Sequence, residues 1–252
     1  MIQDLVSIIM PAYGSEKYIG DSIRSVQLQT YPNWELLITD DCSPDNLDEV
    51  VLTFTKLDPR IKYFRLPTNS GPAAARNNSI SQSRGRYIAF LDSDDYWTST
   101  KLEEQLQFTS KIQTGFTFTF YERILVSGAT SGLVTTSPLV VDYEMLLGNT
   151  SIATLTVMLD RAVVGDVRLK PGWGYDDFVL WLDLLRQGHT AHCLPKSLAK
   201  YRVMEKSVSS NKLRAAKWVW RIYRQHEHLS FVKSFWCLAN FFINSIKKRL
   251  GF

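Results

Sequence analysis

Two hydrophobic periods alternate along the first hundred residues. Leu5 to Met10 is a short apolar run stopping at Pro11, and from about Lys17 to Leu28 residues such as Ile19, Ile23 and Val26 recur at helical spacing. Trp34 to Thr39 then reads as a strand, Leu47 to Lys56 as a helix and Ile61 to Leu66 as a strand. Gly71-Pro72 ahead of three alanines puts proline in the first turn of a helix running to about Ser83, and Tyr87 to Leu91 is a further strand. This alternation predicts right-handed βαβ units and a mostly parallel, doubly wound α/β sheet. Beyond Phe116 the pattern changes. Phe116 to Phe120, Ile124 to Val126 and Thr154 to Leu159 read as strands, Ser127 to Ser137 as a turn or mobile loop, and Gly172 to Asp177 opens a helix with Phe178, Leu180, Trp181, Leu184 and Leu185 on its apolar side.

Ligands of such sheets bind outside the carboxyl ends of the strands. There the chain places Pro11-Ala12-Tyr13, Asp40-Asp41, Asn69-Ser70-Gly71 and Asp92-Ser93-Asp94-Asp95. Alone, the last cluster is either a surface turn or an oxygen-ligand site for Mg²⁺ or Mn²⁺. The recurrence of polar residues at all four ends favours the site.

Composition adds bounds. With 45% hydrophobic and 21% charged residues, 252 residues suffice for a substantial globular core. Cys42, Cys193 and Cys237 lack metal-ligand spacing, which predicts a reducing compartment, and Met1 to Asp4 predicts no secretory leader. The net charge of +4 is unevenly spread: nine Lys or Arg against Glu227 from Lys212 onward make +8, leaving −4 for the rest. The later apolar stretch, Leu229 to Ile246, contains Lys233, Asn240 and Asn244 and barely reaches spanning length. An interfacial amphipathic helix on an anionic membrane fits better, with packing on the catalytic domain or in an oligomer interface as the alternative; nothing beyond charge supports nucleic acid.

Over about residues 5–210 the chain resembles the inverting family 2 glycosyltransferases of the GT-A fold, of the type that builds bacterial polysaccharides. Val6 to Tyr13, Gln29 to Glu35 with Asp40 to Ser43 and Asp45, Asn69 to Asn77, and Phe90 to Asp95 carry the resemblance, with Gly14 and Cys42 as variant positions. It implies a nucleotide-binding half at 1–98, an acceptor half at 99–210 and a basic helical tail at 211–252. Pro11, Ala12 and Tyr13 would edge the nucleotide pocket, and Asp41 would accept the N3–H of uracil or thymine. Asn69, Gly71, Arg76, Asp92 and Ser93 would serve the diphosphate, ribose or sugar, and Asp94 would ligate Mn²⁺ or Mg²⁺. Asp40 reads as a turn residue and Asp95 as a cap.

Asp177 would be the general base, and Asp176 would contact the acceptor or orient its loop. Trp173, Trp181 and Arg202 are candidate donor or acceptor contacts. Tyr201-Arg202-Val203 and Ser207-Val208-Ser209 match the segment closing over the donor, but Met204 stands where many members have His; His189 and His192 read as surface residues. The implied reaction moves a sugar from a UDP- or dTDP-sugar to a hydroxyl of a glycan or lipid-linked acceptor, at the inner face of the cell membrane. A sugar nucleotidyltransferase would want a glycine-rich basic loop after the first strand, and Pro11 is followed by none. A noncatalytic binding module would not need both Asp94 and Asp177.

Overall fold

The computed structural model describes residues 1–149, 151–204 and 212–250. Strands β1 (Ile2–Ala12), β2 (Trp34–Asp40), β3 (Ile61–Arg65) and β4 (Gly85–Phe90) lie parallel in the order β3-β2-β1-β4. Helices α1 (Glu16–Gln27), α2 (Leu47–Leu57) and α3 (Pro72–Gln82) connect them. All seven β2 residues are buried, as a central strand covered on both faces requires. Alternate residues serve opposite faces. Ile8, Met10, Leu36 and Ile38 pack with Ile19, Val51 and Leu102 of α1, α2 and α4 (Lys101–Ile112), whereas Ile9 and Leu37 join the core formed with Ala73 and Ile80 of α3 and with α7 (Asp176–Arg186).

Beyond β4 the sheet continues through antiparallel β9 (Met158–Asp160) to β6 (Phe116–Ile124), then parallel to β10 (Ala191–Arg202) and antiparallel to β5 (Tyr96–Trp97). Two expectations change here. Residues 127–137 are not simply a loop: β7 (Thr130–Thr135) pairs antiparallel with β6, and five of its six residues are exposed, so no apolar face announced it. Thr154 to Leu159 begins with a 3-10 turn, Thr154–Thr156, leaving only Met158 onward for the strand. Short elements β8 (Val140–Val141), α5 (Tyr143–Gly148) and α6 (Arg161–Val164) complete this half.

The tail forms α8 (Lys212–Arg221), a π-helical turn at Ile222–His226 and α9 (Phe231–Leu250). Its Val219, Ile222 and Tyr223 are fully buried, and with Cys237 and Phe241 they enter the same core as α3 and α7. Among the described residues no helix is long and apolar enough to cross a membrane.

Candidate active site

The carboxyl ends of β2, β1 and β4 open on one edge of the sheet, where the connections depart to opposite sides of β1. The chain leaves β4 through Leu91 into a turn closed by the Asp95 amide on the Asp92 carbonyl at 3.1 Å, with the Ser93 carbonyl accepting from Ser22 Oγ at 3.0 Å. Asp95 is buried. Its Oδ1 accepts the Arg202 amide at 2.8 Å, Oδ2 has no partner among the described residues, and burial with the charges of Asp94 and Asp92 pushes its carboxyl well above the usual range. Burial and the neighbouring Asp92 push Asp94 up to about 6. A carboxyl so unwilling to ionise beside a second one fits a site whose charge is completed by a cation.

Arg76, in the second turn of α3, donates from Nη2 to Asp92 Oδ1 at 2.5 Å, while its buried Nε finds no partner among the described residues. Burial opposes its charge, but Asp92, Asp177 and Asp176 outweigh that and hold the guanidinium protonated beyond its ordinary range. One arginine therefore pairs with a strand-exit acid and feels the charge of the acids opening α7.

Those acids are set by their loop. Gly172 and Gly174 adopt φ of +96° and +84°, and Asp176 Oδ1 accepts the Trp173 amide at 2.8 Å, closing the turn they make. Burial, with the charge of Asp177, raises the Asp176 carboxyl. Asp177 Oδ1 accepts the Phe178 amide at 2.8 Å and Oδ2 accepts the Thr154 hydroxyl.

On the far side of β1, Pro11 and Ala12 are buried and Tyr13 is 54% exposed. Asp41 accepts the Ser70 and Gly71 amides, both at 2.7 Å, tying the Asn69-Ser70-Gly71 loop to the β2 exit. Asp40 closes strand β2 rather than standing in a turn, and it is wholly buried, accepting from Ser43 and Tyr63 and paired with Arg65, which makes it structural.

Two of the three expected contacts move elsewhere. Trp181 is 1% exposed, against Phe90 and Phe116 with centroids 5.6 and 5.2 Å away, so it is core and cannot touch a substrate. Arg202 is 3% exposed and donates to the Asp94 and Val126 carbonyls, each at 2.8 Å, bracing the acid loop from behind. Trp173 stays partly exposed, with Arg221 4.5 Å over its ring. His192 stands near the start of β10, ten residues, about 30 Å of extended chain, from Arg202 at its other end. His189 lies before that strand, and neither joins the acids. Met204 is half-buried, and Ser207-Val208-Ser209 falls outside the described residues.

A second acid cluster, Asp183, His226 and Glu227, has metal-ligand proximity, but Lys170 and Arg186 reach Asp183 at 2.8 and 2.6 Å and Arg186 reaches Glu227 at 3.3 Å. With those cations in place it is an ion-pair network holding the π-helical turn to α7. Sequence reasoning passed over Thr154 and over Trp218 and Arg221, which cover the Gly172 to Tyr175 loop: Arg221 Nη1 donates to the Gly172 carbonyl at 2.9 Å and Trp218 stands 5.8 Å from Tyr175. Neither has a local motif to give it away.

Solved structures share this fold. TarS of S. aureus (residues 1–349), in complex with UDP-GlcNAc, superposes with a TM-score of 0.71 over 98% of this chain and 73% of that one, at 20% identity. The mannosyltransferase PcManGT of Pyrobaculum calidifontis, in complex with GDP-Man and Mn²⁺, gives 0.69 over 93% and 68%, at 16% identity. The fold is thus that of GT-A glycosyltransferases. The family model for glycosyl transferase family 2 matches residues 7–150, and the chain belongs to that family. Among its relatives are TuaG of Bacillus subtilis, named for teichuronic acid biosynthesis, 42% identical over 98% of both chains, and WfgD of Escherichia coli. WfgD, named a UDP-Glc:alpha-D-GlcNAc-diphosphoundecaprenol beta-1,3-glucosyltransferase, is 38% identical over 97% of this chain and 94% of its own.

Proposed function

We propose that this enzyme is an inverting, metal-assisted hexosyltransferase that moves a sugar from a UDP-sugar to a hydroxyl of a lipid-diphosphate-linked glycan in surface polysaccharide synthesis. The observation that carries the reading is the buried guanidinium of Arg76, paired with Asp92 and within electrostatic reach of Asp176 and Asp177. It supports a diphosphate site and a base that serve one reacting carbon.

Tyr13 offers the base of the nucleotide a ring face, with Pro11 and Ala12 behind it. Asp41 keeps a lone pair on each oxygen after its amide bonds, enough to accept N3–H of uracil, or of thymine in a dTDP-sugar. Asn69 and Gly71 line the same edge. Arg76 and the first amides of α3 attract the diphosphate, and Asp92 with Ser93 reaches ribose or sugar hydroxyls. Asp94 would hold Mn²⁺ or Mg²⁺, which supplies Lewis-acid stabilisation of the departing β-phosphate. Asp177 takes the proton of the acceptor hydroxyl as it attacks opposite the leaving group, while Asp176 keeps the Gly172 to Tyr175 loop closed and Trp173 offers the acceptor an aromatic surface. The relative WfgD acts on a diphosphoundecaprenol-linked sugar, which supports a lipid-linked acceptor and a peripheral position on the inner face of the membrane.

Release of UDP from UDP-glucose and UDP-GlcNAc, beside dTDP- and GDP-sugars, with Mn²⁺ or with chelator, tests this. UDP donors are expected to turn over only with metal, and Asp94→Asn to lose turnover together with metal-dependent UDP binding in calorimetry. Equal metal-dependent UDP binding by Asp94→Asn and parent overturns the metal assignment, and preference for GDP-sugars overturns the donor class.

A further inference from the structure

The Asp177 carboxylate is held from two sides. Oδ1 is held by the amide of its own helix, but Oδ2 accepts the hydroxyl of Thr154, 23 residues earlier in the chain. Thr154 is buried and opens the 3-10 turn Thr154–Thr156. Its neighbour Thr156 spends its hydroxyl locally on the Ala153 carbonyl at 2.6 Å, so a hydroxyl aimed across to a carboxylate is not what the turn itself requires.

The turn is in turn clamped by the segment that follows the acid loop. Trp97, two residues after Asp95, donates Nε1–H to the Leu155 carbonyl at 2.8 Å. From the first turns of α4, Gln105 Nε2 and Lys101 Nζ donate to the Thr156 carbonyl at 3.1 and 3.3 Å. Lys101 is wholly buried, with its ammonium on the Gln105 amide oxygen and 4.7 Å from the Trp97 ring centroid, and burial alone lowers it to about 7. A lysine buried without a carboxylate partner is costly, and it persists here where it fixes a backbone carbonyl.

We propose that Thr154 is a positioning residue for the Asp177 carboxylate, and that Trp97, Lys101 and Gln105 fix the turn it stands on, so that the acid loop and the base are built into one frame. The inference rests on Asp177 being the general base. A carboxylate with one lone pair of each oxygen committed has its remaining pairs aimed, and alignment of the base is expected to be felt in kcat rather than in donor binding.

Thr154→Val keeps the shape and removes the hydroxyl; Thr154→Ser restores it. In the full chain, with the best UDP-sugar of the donor panel and an N-acetylglucosaminyl-diphospholipid acceptor, Thr154→Val is expected to lower kcat about 10- to 100-fold with the donor KM within about twofold, and Thr154→Ser to recover most of it. In an Asp177→Asn background Thr154→Val should cost nothing further, because the group it positions is gone. Trp97→Phe, which removes only the indole N–H, should show the same kcat-only pattern at about threefold. Unchanged kcat in Thr154→Val, a parallel loss of donor affinity, or an additive loss with Asp177→Asn overturns the positioning role, and unchanged kcat in Trp97→Phe overturns the frame. Should the valine variant not fold, Thr154→Ala against Thr154→Ser makes the same comparison. Full transfer by Asp177→Asn alone removes the base assignment itself, a result distinct from failure at Thr154.

Discussion

Asp94 shows what the site costs when no cation balances it. Its carboxyl rises from 3.8 to about 6 through burial and the adjacent Asp92. Because the folded value is the higher one, proton binding favours the folded state: that stability is complete below pH 3.8 and is lost as pH rises through 6. Above pH 7 the ionised group therefore disfavours folding by on the order of 3 kcal/mol. Asp94→Asn is expected to melt several degrees above the parent at pH 7.5 in chelator, with the gap closing toward pH 4; Mn²⁺ with UDP should reverse the order, since only the parent gains by binding. Melts at the two pH values decide it, and a gap that does not shrink toward pH 4 would show that Asp94 is not the strained group. The places of Asp94 at a strand exit and Asp177 at a helix start were legible in sequence because local periodicity marks both positions, while their proposed roles come from the family resemblance. Thr154 was not, because its partner is 23 residues away and a threonine in an apolar segment has no signature.

At the scale of elements, the fully buried β2 was read to within one residue, while β7 was missed because its exposed residues give no alternation. The loop ahead of α7 was read as a helix opening, but its roof was not. A Cβ on Gly174 would stand 2.2 Å from the Trp218 ring, at a φ of +84°. Gly174→Ala must therefore displace α8 or reopen the turn that Asp176 closes, and it is expected to cost about 1–3 kcal/mol of stability and to lower kcat. Adding Trp218→Ala should return part of the activity by making room. If the double variant is as impaired as the single one, backbone strain at Gly174 rather than the clash is responsible.

For the molecule as a whole, the tail is where sequence reading left two outcomes open, and α9 combines features of both. Its Cys237 and Phe241 face the core, whereas Phe231, Val232, Phe235, Trp236 and Ile243 point outward, Phe235 and Trp236 at 65% and 68% exposure. Lys217, Arg221 and Arg224 are exposed along the adjoining α8 and π-helical turn, and Trp220 packs edge-on against Phe231 at 5.3 Å. A periodicity that finds apolar residues on both sides of a helix cannot say which side is covered. The fold divides them, but the buried half also makes removal of the tail a poor experiment, since cutting before α8 strips fully buried Val219, Ile222 and Tyr223 from the core. Substitution of the outward face avoids this. We predict that the full chain co-sediments with phosphatidylserine vesicles, less so in high salt, and that Phe235→Ser with Trp236→Ser abolishes co-sedimentation while leaving the melting temperature and turnover of a water-soluble acceptor unchanged. Binding that survives both substitutions would take the membrane role away from α9, and absence of binding by the parent would take it away from the protein.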